Sequence, residues 1–165
     1  MPQLNEDFDF DLSAPADVRR AFRGSPFKKL LESPTKMYKW TQHSFVGRRG
    51  ITPWWSLVDS LELKNGATTP GLRTLQERGA RLEVHERDFA RVRSAVTQEW
   101  NTMRKPLFVQ LLQPVWGWIG QASGQRASRD DPNVILIGGN YQAWIPNLTE
   151  LHVKQISALQ YLQPR

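Results

Sequence analysis

The fold is decided by residues 107–156, which read LFVQLLQPVWGWIGQASGQRASRDDPNVILIGGNYQAWIPNLTELHVKQI. Short runs of β-branched and aromatic residues alternate here with turns rich in Pro, Gly and Asn, which is typical of successive strands. The pattern predicts five strands, over residues 107–112, 115–119, 134–137, 141–145 and 151–156. This part of the chain is therefore expected to form a mainly antiparallel sheet.

The chain before residue 107 is predicted to contain several helices. One covers residues 13–22, with Pro15 in its first turn, and a short basic helix follows over residues 26–31. Another helix, of about two turns, has Thr69 as its N-cap and ends at Gly79.

The clearest helix covers residues 86–104 and is stopped by Pro106. Its apolar residues are spaced by 3, 4, 4 and 3 positions, which places them on one helical face: Phe89, Val92, Val96, Trp100 and Met103. We interpret this stripe as core.

Two extended segments lie between these helices. Residues 36–41 predict a strand, and residues 51–58 predict an edge strand or an irregular segment, because Pro53 cannot donate to a ladder. Early helices and late strands favour an α+β fold. We expect one globular α+β domain over residues 13–165, preceded by a flexible acidic leader over residues 1–12.

Charge is distributed unevenly along the 165 residues. The whole chain has 22 basic and 16 acidic residues, a net charge of +6, but its first 17 residues hold five acids and no base. The remainder has 22 bases against 11 acids and a net charge of +11. Such a body attracts phosphates and polyanions, although a solvated basic surface is an equally open interpretation. The leader is either a free tail or a cover over the basic face.

Several functional classes are excluded or disfavoured. The chain has no cysteine and three dispersed histidines, so disulfides and thiol chemistry are excluded and a metal site is not expected. No P-loop, dinucleotide-binding glycine motif or nucleophile elbow is present. The sequence shows no long apolar run and no signal peptide, which predicts a cytoplasmic protein, in the producing or the target cell, without membrane contact.

Aromatic and basic residues are concentrated over residues 38–55. Tyr38, Trp40, Trp54 and Trp55 flank Arg48 and Arg49. Guanidinium groups bind pyrophosphate, and aromatic rings stack on bases. The alternative is that the tryptophans are core residues.

A second candidate region follows the glycine pair Gly138-Gly139, which permits close approach to a ligand or to a neighbouring strand. The alternation after it places Asn140, Gln142 and Trp144 on one strand face. Two side-chain amides on one face suit hydrogen bonding to a polar ligand. A half-exposed polar face is the alternative.

These segments resemble the ADP-ribosyltransferase fold, including its NAD-glycohydrolase toxin branch. The similarity rests on Tyr-Lys-Trp-Thr at 38–41, Gln-Ala-Trp-Ile-Pro at 142–146 and Glu-Leu-His-Val-Lys at 150–154. Residues 116–121 and 138–139 are similar to the Gly- and Gln-rich approach to the family's catalytic strand, and residues 49–56 resemble its second motif more loosely. The resemblance implies a split antiparallel sheet after the N-terminal helices and NAD, without a metal, as the substrate.

The chain departs from the family pattern at two places. Lys39 replaces the usual Arg or His of the first strand, and Asn140 and Gln142 stand where many transferases have Glu-x-Glu. Cleavage of the nicotinamide–ribose bond passes through an oxocarbenium-like state, as glycoside cleavage does. An amide supplies a hydrogen bond there but no charge, so NAD hydrolysis is at least as well supported as ADP-ribose transfer to a protein. Transfer to a nucleic acid, and a domain that binds NAD without cleaving it, remain open alternatives.

The resemblance also implies roles for individual residues. Gln142 is assigned to catalysis, at the ribose and the transition state, and the nicotinamide wall is assigned to Tyr38 and Trp40. Arg48 or Arg49 is assigned to the pyrophosphate and Ser56 to the nicotinamide ribose. The predicted NAD-binding residues are Tyr38, Lys39, Trp40, Arg48, Arg49, Ser56 and Asn140. Toxins of this kind act as effectors and commonly pair with an immunity protein.

Two other functions remain open from the sequence. One is a non-catalytic, basic, Trp-rich module that binds nucleic acid or a partner protein. The other is a structural assembly protein with neither activity. Nicotinamide release from NAD, and salt-sensitive binding to oligonucleotides, separate the three hypotheses.

Overall fold

The structure is a computed structural model and describes residues 2–41, 51–64, 66–82, 105–126, 135–136, 138–158 and 161. Within these residues the elements follow one another in this order: α1 (Phe10–Ser13), α2 (Ala16–Ala21), β1 (Phe27–Leu31), β2 (Lys36–Thr41), β3 (Trp54–Leu57), β4 (Leu61–Glu62), β5 (Thr68–Thr69), α3 (Leu72–Arg81), β6 (Lys105–Leu111), β7 (Val115–Gln121), β8 (Gln125–Arg126), β9 (Ile135–Leu136), β10 (Tyr141–Trp144) and β11 (Val153–Ile156).

Seven strands form one sheet, in the order β1-β7-β10-β3-β2-β6-β11. All neighbouring strands in it are antiparallel. Two small ladders, β4 with β5 and β8 with β9, complete the described strands. The coarse prediction of a mixed α/β architecture with a mostly antiparallel sheet is confirmed, and the described residues contain few helices.

Strand β3 changes partner half-way along its length. Trp54 and Trp55 pair with β10. Ser56 and Leu57 pair with β2. We therefore distinguish a first half-sheet (β1, β7 and β10) from a second half-sheet (β2, β6 and β11), and we call their meeting point at β3 the junction.

The sheet is strongly curved. Strands β6 and β7 are four places apart in it, which on a flat sheet is about 19 Å, yet the chain between Leu111 and Val115 spans at most about 14 Å. Because the sheet is curved, residues from both half-sheets meet in one apolar cluster. It includes Leu31, Met37, Val109, Leu111, Val115, Ile119, Ala143 and Val153. We call the face that carries this cluster the inner face and the opposite one the outer face.

The N-terminal segment covers the outer face of the first half-sheet. Leu4 forms a parallel bridge with Val115. The rings of Phe8 and Phe10 lie 5.2 Å and 5.8 Å from that of Trp118, centroid to centroid. The acidic leader, which was predicted to be flexible, is in contact with the sheet because its two phenylalanines help to bury the aromatic residues of β7 and β10.

Helix α3 and a ring stack cover the outer face of the second half-sheet. Phe108 stacks on Tyr38 at 5.5 Å and on Tyr161 at 4.7 Å. Leu72 of α3 packs into the same cluster. Gln76 Nε2 donates to the carbonyl oxygen of Tyr161 at 2.7 Å, so the helix is held by both an apolar and a polar contact.

The helix predicted over residues 26–31 is wrong, because Phe27–Leu31 is strand β1. Its apolar residues Phe27, Leu30 and Leu31 also fit a helical spacing. All five residues of the strand pair with β7, and Leu31 is fully buried. Tertiary pairing thus overrides the local pattern.

The prediction of an edge or irregular strand over residues 51–58 is also wrong, since β3 lies in the middle of the sheet. Pro53 stands just before the strand. Its carbonyl oxygen accepts a 2.7 Å hydrogen bond from the Ile145 backbone N–H. The missing N–H of proline therefore falls outside the ladder.

The helix predicted over residues 13–22 is confirmed only over residues 16–21; the chain forms two helical pieces here, and the first lies almost entirely before residue 13. Ser13 is the last residue of α1, whose N-cap is Asp9. Helix α2 begins after Pro15 and covers Ala16–Ala21. Proline at this position interrupts the backbone hydrogen-bond pattern between the two pieces.

The helix predicted between Thr69 and Gly79 exists but is displaced. It covers Leu72–Arg81 and has Gly71 as its N-cap. Thr69 ends β5 instead, and its Oγ1 accepts a hydrogen bond from the Leu61 backbone N–H at 3.0 Å. The threonine hydroxyl thus serves the small ladder rather than the helix.

The other six strand predictions are confirmed to within two residues: they correspond to β2, β6, β7, β9, β10 and β11. Pro106, predicted to end a helix, lies in β6 opposite Trp40. The helix predicted over residues 86–104 and the basic loop over residues 47–50 lie outside the described residues. No helix in the described segments is long and apolar enough to cross a bilayer.

Candidate functional site

Three predicted site residues lie in one row across the outer face at the junction. Tyr38 of β2 is directly opposite Ser56 of β3. The register of β3 with β10 ends at the pair Trp55–Ala143. Continued by one residue it points Ser56 towards Gln142, and both residues line one cavity. Residues paired in this way share a face of the sheet. The structure thus brings Ser56 and Gln142 together from distant parts of the sequence.

The Gln142 amide is held by the end of α2. Its side chain is half-buried, and its Nε2 donates to the carbonyl oxygen of Ala21 at 3.1 Å. The same carbonyl oxygen accepts from the Ser123 backbone N–H at 2.9 Å. Within the described residues, the amide oxygen Oε1 of Gln142 accepts no hydrogen bond. It is therefore the end of the amide that remains available to a ligand.

A narrow cavity of about 10 Å³ lies at the junction. The sheet contributes five of its lining residues, and Thr69, Pro70 and Leu75 complete the lining; the five are Ser56, Leu57, Ile119, Tyr141 and Gln142. This volume is about what one water molecule occupies by the same measure. In this conformation the junction does not have the volume to hold a dinucleotide.

The glycine pair before β10 is packed against the chain itself. Gly138 and Gly139 have φ values of +68° and +95°, which glycine adopts without strain. A Cβ atom on Gly138 would lie 2.5 Å from the carbonyl oxygen of Ala122. Of the two interpretations given above, the structure supports close approach to a neighbouring strand.

Asn140 lies just before β10 and is 6% exposed. Its carbonyl oxygen accepts from the Ala122 backbone N–H at 2.8 Å. Gln142 and Trp144 share the outer face within β10, as the alternation predicts. Asn140 is therefore a buried residue at the entry to the strand.

Tyr38 and Trp40 differ in their suitability as a nicotinamide wall. Tyr38 is 5% exposed and stacked on Phe108, so its ring belongs to the core and offers little surface to a ligand. Trp40 is half-buried and lies opposite Pro106 near one end of β2. The predicted wall of two rings is thus not formed at Tyr38.

Lys39 points to the inner face, away from Gln142. Its Nζ lies 4.9 Å from the ring centroid of Trp55 and donates to Thr52 Oγ1. Desolvation by burial lowers the pKa of Lys39 to about 8. Since adjacent residues of a strand face opposite sides, Lys39 cannot join the row of Tyr38, Ser56 and Gln142. Arg48 and Arg49 lie outside the described residues.

A larger groove, of about 440 Å³, lies along the N-terminal segment, away from the junction. Carboxylate residues line it together with Phe8, Phe10, Trp118 and Lys28; these acids are Glu6, Asp7, Asp9 and Asp11. Lys28 Nζ donates to the Glu6 carbonyl oxygen at 2.6 Å. The alternation of acids and phenylalanines over residues 6–11 is the sequence pattern that could have predicted this groove.

Two further observations concern the site's chemistry. In the described part of the chain, no three His, Cys, Asp or Glu side chains converge in a way that could hold a metal ion. Trp144 is 4% exposed, and its indole Nε1 has no hydrogen-bond partner there. A buried donor without a partner costs stability.

No family model, no curated protein and no solved structure matches the chain. Only the arrangement of the chain's own side chains therefore indicates a function.

Proposed function

We propose that the protein binds NAD at the junction and cleaves the nicotinamide–ribose bond, releasing nicotinamide and passing the ADP-ribose to water or to an acceptor. The observation that carries the proposal is the meeting of Ser56 and Gln142 at the point where β3 changes partner. A strand pair that separates there provides a place where a ligand can enter between the half-sheets. The proposal includes the fold family: it takes the sheet to be split in the way of the ADP-ribosyltransferase fold.

The chemistry asked of Gln142 is modest and specific. When the bond breaks, its electron pair leaves with nicotinamide, and the ribose carbon becomes oxocarbenium-like. The amide oxygen of Gln142 accepts a hydrogen bond from a ribose hydroxyl and lies near the developing positive charge. Ser56 donates to the same ribose. Water or an acceptor then adds to the ribose carbon and loses its proton.

Binding requires the cavity to widen. The cavity has a volume of about 10 Å³ and is lined by Pro70 and Leu75 as well as by Gln142. In the proposal the side formed by Pro70 and Leu75 moves outward when NAD enters, and the pyrophosphate is bound by Arg48 or Arg49. Trp40 is the remaining candidate for the nicotinamide wall.

The direct test is nicotinamide release from NAD by the purified protein. Gln142→Ala is expected to lower kcat/KM by about 100-fold or more, the range seen when one stabilising donor or acceptor is removed. Gln155→Ala is the matched control, because Gln155 is an exposed glutamine on β11, away from the junction. That control should retain activity within about twofold.

The outcome that contradicts the proposal is absence of turnover by the wild-type protein. If that protein instead binds oligonucleotides in a salt-sensitive manner, the basic binding module becomes the better hypothesis. Loss of activity in both glutamine variants would also contradict the role given to Gln142. The effector role and the immunity partner remain predictions.

A further inference from the structure

The orientation of the Gln142 amide has a functional consequence. A side-chain amide has a donor end and an acceptor end, and only the oxygen can accept from a ribose hydroxyl or lie favourably beside a developing cation. If the amide of a glutamine rotates freely about the Cγ–Cδ bond, its NH₂ group faces the ligand part of the time in place of its oxygen. A residue that fixes the amide therefore contributes to the reaction without touching the substrate.

The Ala21 carbonyl oxygen selects one orientation. A carbonyl oxygen only accepts hydrogen bonds, so its 3.1 Å contact holds the NH₂ end of Gln142. The oxygen end is thereby directed away from α2. Since Gln142 also lines the cavity at the junction, the acceptor is the end of the amide left for a ligand there.

The end of α2 is itself fixed on the sheet. Phe22 forms an antiparallel bridge with Ala122, and the Arg23 backbone N–H donates to the carbonyl oxygen of Gln121 at 2.8 Å. The Ser123 backbone N–H donates to Ala21. Three successive residues of the N-terminal segment are thus tied to the end of β7 and the residues after it.

Phe22 anchors this arrangement by packing. It is 4% exposed, and its ring centroid lies 5.4 Å from that of Trp54. Its ring fills the space above Gly120, where an added Cβ atom would lie 2.8 Å from it. Gly120 is the direct partner of Gln142 in the sheet. Phe22 therefore packs immediately beside the residue whose amide Ala21 holds.

We infer that the end of α2 is part of the active site, with the Ala21 carbonyl oxygen orienting the Gln142 amide and Phe22 acting as the positioning residue that keeps this carbonyl in place. The inference rests on the proposed function at the junction. It assigns the end of α2 a role in catalysis that neither charge nor motif indicated.

The first test measures the orientation without using NAD turnover. Gln142→Glu replaces the donor end with an oxygen, which faces the Ala21 carbonyl oxygen unless it is protonated. The pKa of the introduced carboxyl, followed by NMR titration of ¹³C-labelled protein, is expected to lie at least one unit above the ordinary glutamate value of about 4.3. Gln155→Glu, on exposed β11, is the matched control and should titrate near the ordinary value.

The second test uses kinetics. Phe22→Leu keeps an apolar side chain but removes the ring that fixes α2, and it is expected to lower kcat by about 10- to 100-fold with little change in KM, as expected for a misplaced catalytic group. Phe8→Leu is the control, since Phe8 packs in the same aromatic cluster against Trp118 and Trp144. It should leave kcat within about twofold.

The outcomes separate the two proposals. A raised pKa together with a kcat effect confined to Phe22→Leu supports the inference. If the protein turns over NAD but the carboxyl introduced by Gln142→Glu has an ordinary pKa, the inference is overturned and the proposed function stands. Equal kcat values in Phe22→Leu and Phe8→Leu would have the same consequence. A raised pKa in a protein that never releases nicotinamide overturns the NAD assignment while supporting the amide orientation.

Discussion

The two half-sheets are covered on their outer faces in different ways. The first is covered by the N-terminal segment, which adds backbone bridges at Leu4 and Phe22 and a set of aromatic rings. The second is covered by α3, which is attached through Leu72 and through the Gln76 hydrogen bond to Tyr161. The first cover is tied to its sheet by two backbone bridges, whereas the second is held by side-chain contacts and by one backbone hydrogen bond, from the Leu72 N–H to the Val58 carbonyl oxygen at 2.8 Å.

This difference indicates which part of the junction is fixed and which part can move. Gln142 belongs to the first half-sheet and is held by a cover whose backbone is bonded to β7. The same cavity is also lined by Pro70, which precedes α3, and by Leu75 of α3 itself. We therefore expect the Gln142 amide to stay in place and the α3 side of the cavity to move when a ligand enters.

The largest effect is expected from Phe108→Ala, which removes the middle ring of the stack on the second half-sheet. Phe108 is 2% exposed, so the free energy of unfolding should fall by about 3–5 kcal/mol, measured by urea denaturation. Phe8→Ala, at a partly buried position on the first half-sheet, should cost less, about 1–2 kcal/mol. Equal losses would show that backbone bridges do not compensate for a lost ring.

A smaller loss is expected from Gly120→Ala. The new methyl group would meet the Phe22 ring at 2.8 Å and Pro26 Cα at 3.3 Å, which costs about 1–3 kcal/mol of unfolding free energy. Gly117→Ala is the comparison on the inner face of the same strand, where the methyl group meets Ile145 at 2.9 Å.

Both glycine variants should lose stability in denaturation experiments, but only Gly120→Ala should shift the NMR signal of the Gln142 side-chain NH₂. A shift of equal size in both variants would mean that the amide responds to general strain and not to the position of Phe22.

Trp144→Phe should change the unfolding free energy by less than about 1 kcal/mol. The substitution loses part of a buried ring but also removes an indole N–H that has no partner in the described part of the chain. Trp118→Phe serves as the reference on the neighbouring strand. A loss above about 2 kcal/mol for Trp144→Phe alone would show that the N–H makes a favourable contact in solution.

The smallest effect concerns Lys39 of the second half-sheet and appears only as a pH dependence. Burial lowers the pKa of Lys39 in the folded chain to about 8, below its ordinary value of 10.5, so between these pH values the unfolded chain binds more protons than the folded one. Stability therefore rises as pH increases from about 8 to 10.5.

Lys39→Met should abolish this rise in denaturation experiments at several pH values. Lys154→Met, which removes a lysine from an exposed position of β11, should retain it. A rise that persists in Lys39→Met would assign the pH dependence to other groups.

Sequence patterns predicted the strands well where turns separated them. The Pro, Gly and Asn turns after residue 106 delimit β6, β7, β10 and β11 to within two residues. The pattern failed at Phe27–Leu31, since whether five residues form a strand or a helical turn there is decided by β7, about 90 residues later. It failed at Pro53 for a related reason, because only the pairing shows that the proline lies before the ladder.

The candidate site was predictable in part. Alternation correctly placed Gln142 and Trp144 on one face. It could not reveal that Ala21 would hold the amide, because that contact joins residues 121 positions apart. Nor could it show that Tyr38 is stacked in a core while Lys39 lies over Trp55, since burial depends on which elements cover each face.

The bridges at Leu4 and Phe22 also bear on how the chain acquires its structure. Both residues pair with the segment from Val115 to Ala122, so the N-terminal segment finds its partners only after the chain as far as residue 122 has been made. Such long sequence separations slow folding. Until β7 has been made, Phe8, Phe10 and Phe22 have no sheet to pack against and are exposed. We expect the negative charges of the neighbouring acids to oppose association of this exposed segment with other chains.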